Sequence, residues 1–186
     1  MKTYQIILSA MAFVLFPMVA QAQTMDREHL NVNGYVRESH LLNGLWIYDK
    51  LIDTKDCVTA GVSVGVNTKP EDNNYWAWAW NFPHYGLGFS YSNMSSIQCR
   101  QGSSLGDAYT LYGYAHFDFF KSRYFTIGPN LEFGASYITK TWDAVSNPLN
   151  TFVGTPVLVM VGMGLEAGFH ITPQWEVGLN AMLTHR

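Results

Sequence analysis

Charge is what this 186-residue chain has least of: Asp, Glu, Lys and Arg make up 13% of it, about half the fraction usual in a soluble domain. Eleven basic against fourteen acidic residues leave a net charge of −3, spread along the chain, which excludes the electrostatic footprint of a nucleic-acid binder. Cysteine is scarce, with only Cys57 and Cys99, and the six histidines form no HxxxH pair. Neither a metal site nor a disulfide framework can be read from them, and no cofactor motif is present. After residue 22 no run of eighteen apolar residues occurs, so the chain beyond that point has no candidate transmembrane helix. Disorder is excluded by the opposite feature, a 48% hydrophobic and 15% aromatic composition able to offset the entropy of ordering.

The first residues read as a targeting segment. Lys2 precedes an apolar stretch from Ile6 to Ala20, and Ala20-Gln21-Ala22 is a small-x-small cleavage site, giving a signal peptide over residues 1–22 and a domain over 23–186. A single-span anchor is the rival reading, but Pro17, Gln21 and Gln23 shorten the run. Export would bring the chain into an oxidising compartment, where a loop-to-loop disulfide between Cys57 and Cys99 remains open.

What the chain does have is period-two alternation of an unusual kind. Phe125, Ile127, Leu131, Phe133, Ala135 and Tyr137 alternate with Thr126, Gly128, Asn130, Glu132, Gly134 and Ser136. Val157 to His170, Val58 to Asn67 and Tyr85 to Asn93 repeat the pattern, and Ala108 to Phe119 is a less regular aromatic version. Successive side chains on a strand point to opposite faces, so each strand has one greasy face and one of glycine, serine and a few polar groups. A soluble sandwich needs a charged, hydrated second face. Small residues instead suit the cramped lumen of a barrel, with Asn130, Glu132, Glu166, His170 and Glu176 bonding across it. The fold class expected is therefore all-β, an antiparallel up-and-down transmembrane β-barrel of the bacterial outer membrane, closed because lipid cannot satisfy sheet edges.

The connections agree. Lys121-Ser122-Arg123 and Thr172-Pro173-Gln174 read as tight turns, whereas Met94 to Asp107 and Thr139 to Thr155 read as longer outer loops. Thr68 to Trp80 is expected to extend the next strand or form an aromatic belt, and Gly34 to Ile52 is the poorly periodic candidate for a first strand. About six or seven strands result. The last, from Trp175, places His185 on the same parity as Val177, Leu179 and Leu183, outward and near the depth of outer-leaflet head groups. On periodicity alone an interfacial belt residue explains it.

Phe82-Pro83-His84-Tyr85-Gly86-Leu87-Gly88-Phe89, Leu105-Gly106 to Tyr114, Asn147-Pro148-Leu149-Asn150 with Gly154, and Trp175 to Thr184-His185 together resemble the outer-membrane lipid A deacylases, the acyloxyacyl hydrolase type. The resemblance covers roughly residues 80 to 186. It implies an eight-stranded barrel with a Ser-His-acid esterase site on its lipid-facing wall, acting without metal or cofactor on the acyl chains of lipid A in lipopolysaccharide. In that family the serine follows the histidine by two positions and the acid comes from the neighbouring strand. His185 matches the histidine; the other two have no counterpart before Arg186. The resemblance therefore implies a domain incomplete at its C-terminus, and the 186-residue product alone is expected neither to fold robustly nor to cleave lipid A. Ser90 and Ser92 do not substitute, because they share the lumenal parity of Gly86 and Gly88. The alternative reading is a non-enzymatic small outer-membrane barrel, structural or adhesive.

Overall fold

The computed structural model describes residues 30–41, 52, 56–69, 75–172 and 175–186. The expected signal peptide, His29 and the Pro173-Gln174 turn lie outside the described residues. Seven long strands, β1 (Leu30–His40), β2 (Asp56–Asn67), β3 (His84–Ser92), β4 (Ala108–His116), β6 (Phe125–Ile138), β7 (Val157–Thr172) and β8 (Trp175–His185), follow one another in a single antiparallel meander. The two-residue β5 (Phe120–Lys121) pairs only with β6. The sheet curls into a half-barrel. Its parity is the one the alternation demands: Leu87, Leu111, Phe133, Leu165 and Leu179 are exposed on the convex face, while Thr59, Ser90, Thr110, Glu132 and Ser136 are buried on the concave one.

Glycine on the concave face makes room for tyrosine. A Cβ at Gly61 would run into the ring of Tyr35, and one at Gly88 into the ring of Tyr112. The two phenols lie across the lumen and meet, Tyr112 donating to Tyr35 at 3.0 Å.

Aromatic side chains gather at both ends of the convex face. At one end Tyr91, Tyr109 and Tyr137 are register partners on β3, β4 and β6. At the other, Trp76 packs on Tyr85, Trp80 on Phe117, and Phe125 on both Phe120 and Phe169. The end with the tyrosine row also carries the long connections. Met94, Ile97, Cys99, Leu105, Ile138 and Val153 form an apolar core there with Ile52 and Cys57. Both cysteines are thus buried in one cluster at the same rim, and both are thiols.

Two expectations need correction. The first strand begins at Leu30, not Gly34, and ends at His40, while residues 42–51 of the expected Gly34 to Ile52 segment lie outside the described residues. Its concave face carries Asn31, Tyr35 and Arg37, and Gly34 falls on the other parity, so the greasy-against-small rule fails to find it. Thr68 to Trp80 does not extend the next strand: Tyr75–Ala79 is a short helix, α1. The alternation Trp76-Ala77-Trp78 mimics a strand, but Ala77 is fully buried, and Phe82 N–H closes the turn onto Ala77 O at 2.7 Å. Asn81 and Phe82 follow with φ of 56° and 57°, a left-handed stop that reverses the chain into β3.

Among the described residues the meander does not close, since β1 and β8 are its two ends. Six antiparallel steps leave these edge strands running in the same direction, so an all-antiparallel closure takes one more strand opposed to both. Hydrogen exchange on the 186-residue chain in detergent should follow this topology. The edge-facing amides of β1 and β8 should exchange on the order of tenfold faster, or more, than those of β6 and its partners. Uniform protection across all seven strands would contradict an open sheet.

Candidate active site on the outer wall

His185 lies in the last rung of β8, paired with Val161 of β7, and it is exposed. It shares its parity with Leu179 and Leu183, both exposed on the convex face, so its imidazole belongs to the outer wall and not to the lumen. Successive register partners carry this row around the sheet through Val161, Phe133, Gly113, Leu87, Val64 and Val32. His185 is the one ionisable residue of that row. The register sets it four residues further along β7 than Val157, the partner of Tyr137.

No described residue brings a serine or a carboxylate to His185. Its neighbours on β7 are valine and methionine, and β8 is an edge strand. The wall site therefore consists, among the described residues, of one imidazole in an apolar surround. Ser90 and Ser92 are buried in the lumen, where Ser92 and Thr59 share a 2.8 Å hydroxyl bond. His116 and His170 also face inward, and His40 pairs with Asp56 at 2.6 Å on the loop-bearing rim.

The lumen holds what the sequence reading missed. Arg37 reaches across from β1, donating to Glu132 of β6 at 2.9 Å and to Asn180 of β8 at 3.0 Å, with its guanidinium 4.1 Å from the centroid of Tyr35. It joins the two open edges through side chains. Nearer the tyrosine row, Arg186 donates to Ser136 at 3.3 Å and Ser92 at 3.2 Å. Asn130, Glu132, Glu166, His170 and Glu176 all take the lumenal parity expected of them, and His170 pairs with Glu176 at 3.1 Å.

At the opposite end the β4–β5 turn tucks Asp118 under the sheet. Its carboxylate, 2% exposed, accepts from His116 at 3.0 Å, His84 at 3.1 Å and Lys121 at 3.2 Å. Asn81, from the turn after α1, donates to the Asp118 carbonyl. Burial alone would raise the Asp118 pKa, but the hydrogen bonds from His116 and His84 and the charge of Lys121 outweigh it and hold the group well below the usual carboxylate range. A folded-state pKa depressed in this way gives stabilisation that is full above the ordinary carboxylate pKa and is lost only as pH falls through the lower value. Asp118→Asn should therefore unfold more easily in denaturant by about 3 kcal/mol, measured on the detergent-refolded chain. The deficit should persist from neutral pH down to about pH 4 and shrink only in stronger acid; a deficit that vanishes by pH 5 would contradict the depressed value.

Compared with protein-family models, with characterised proteins and with solved structures, the chain gives no significant match to any.

Proposed function

We propose that the chain is an outer-membrane barrel and that His185 is the base of an ester hydrolase acting on lipid A acyl chains, of the deacylase type its motifs resemble. The observation that carries the reading is the position of His185: an imidazole on the convex wall, in an apolar row, four residues in from the end of the sheet that bears the long loops. A lipid-embedded ester reaches such a group laterally, without entering the lumen. The convex face supports the membrane part of the reading, because a band of exposed leucine, valine and phenylalanine lies between two aromatic zones, the pattern of a lipid-facing barrel wall.

The chemistry assigned to His185 is proton transfer. Its neutral ring takes the hydroxyl proton of a serine as that oxygen attacks the ester carbonyl, and returns the proton to the departing sugar alcohol; water then releases the fatty acid in a second pass. An acidic partner on the adjoining strand fixes the ring tautomer. Residues two apart on a strand share a face, which is why the resemblance pairs this histidine with a serine at that spacing. The open side of β8 is where an adjoining acid-bearing strand fits.

A non-enzymatic structural or adhesive barrel is the second reading, favoured by the separate apolar core of the loop-bearing rim, which presents an ordered surface there. Release of hydroxy fatty acid from lipopolysaccharide, by the gene product read together with any codons following Arg186, distinguishes the two. His185→Ala should lower the rate about a thousandfold, and His40→Gln, an exposed histidine at the loop-bearing rim, should leave it unchanged. No release by the parent protein, or equal rates in parent and His185→Ala, would favour the non-enzymatic reading.

A further inference from the structure

Between the β3–β4 and β6–β7 connections, on the loop-bearing rim, lies a cavity of about 350 Å³ lined by Ser95, Gln98, Cys99, Ser103, Ser104 and Lys140, with Gly102 at its edge. Its walls are fixed rather than draped. Asn147, itself buried, accepts from Ser104 N–H at 3.0 Å and donates to Ser104 O at 3.0 Å, tying one loop to the other. Ser103 and Ser104 Oγ accept from the Leu149 and Gly106 amides at 3.2 Å each, which leaves their hydroxyl protons to donate elsewhere. Ser95 Oγ is committed to Asn93 at 2.6 Å, and its amide to the Asp107 carboxylate at 3.3 Å. Asp143, the other acid of these loops, is satisfied within its own turn by Ser146 and Val145.

No carboxylate lines the cavity, and among the described residues none pairs with the Lys140 ammonium, which is exposed at the mouth. The lining therefore offers one positive charge and two hydroxyl donors, without an aromatic or aliphatic wall. Apolar ligands find nothing there, and cations meet like charge. A hydroxyl-rich anion matches every feature, and the volume is in the range of small-molecule sites.

We propose that this cavity binds a phosphorylated sugar, with Lys140 at the phosphate and Ser103 and Ser104 at the sugar hydroxyls. The ligand is either a lipopolysaccharide headgroup or a soluble sugar phosphate; the headgroup source rests on the proposed outer-membrane reading, and the binding chemistry does not. If the headgroup is the source, the cavity holds a phosphosugar at the same end of the sheet as His185, leaving acyl chains to lie along the wall.

The test is calorimetric titration of the detergent-refolded full chain with glucosamine 1-phosphate, glucosamine and inorganic phosphate. Saturable binding of glucosamine 1-phosphate, at least tenfold tighter than either fragment, is expected. It should weaken tenfold or more in Lys140→Gln and stay unchanged in Arg123→Gln, which removes the same charge near the opposite end. Retained circular dichroism of both variants excludes misfolding. Competition by lipopolysaccharide micelles identifies the headgroup as the source, and lack of competition identifies the soluble ligand; either upholds the site. No binding by the parent chain, equal affinity for inorganic phosphate, or equal binding by Lys140→Gln would overturn it. These readouts do not involve ester hydrolysis, so the cavity and the His185 reading fail separately.

Discussion

A single sheet that curls on itself has only one face it can bury, and in this chain that face is the narrow one. Seven long strands enclose little space, so the concave side takes glycine, serine, threonine and a few polar groups that bond across the lumen. The bulky side chains are driven to the convex side. Apolar burial ordinarily supplies the main favourable term of folding, yet here Leu87, Leu111, Phe133 and Leu179 are exposed, and the apolar core among the described residues belongs to the loops. The sheet is held instead by its hydrogen-bond ladders and its lumenal contacts. Its outer face calls for an apolar surround, which a bilayer supplies on the reading proposed here.

Inside the lumen the same constraint favours long polar side chains over many short ones. Gly61 and Gly88 clear space for Tyr35 and Tyr112, and the paired phenols form part of the surround of the Arg37 guanidinium. From there Arg37 binds Glu132 and Asn180 on two distant strands. Charges this enclosed are stabilising only while paired, so Arg37 and Glu132 constrain the curvature of the sheet as well as each other. Asp118 does the corresponding work at the far end, drawing β3, β4 and the β4–β5 turn to one carboxylate.

Where one parity was greasy and the other small, the strands were legible from sequence. The parity of β2, β3, β6, β7 and β8 follows from counting residues, as does the lumenal position of Glu132, Glu166 and Glu176. What hid β1 was its concave face, where Asn31, Tyr35 and Arg37 replace glycine and serine. A lone arginine sharing parity with asparagine and tyrosine was the available signal. The helix Tyr75–Ala79 was illegible because alternating tryptophan and alanine satisfies a strand pattern and a helical turn equally well. Asp118 was unreadable for another reason: it meets His84 only after β3 and β4 have paired. The loop cavity is likewise made of residues whose spacing carries no motif and which the fold alone assembles.

The register bears on the two explanations for His185. A belt histidine belongs with the aromatic residues that mark the rim, and on β7 that level is Val157, the partner of Tyr137. His185 is partnered four residues away, at Val161, about 13 Å along the strand and about 10 Å in depth at the usual barrel tilt. At that level its row holds valine, phenylalanine, leucine and Gly113. On the membrane reading proposed here, an imidazole at that level gains nothing from head groups and is unfavourable among acyl tails. A belt role therefore leaves the position of His185 unexplained.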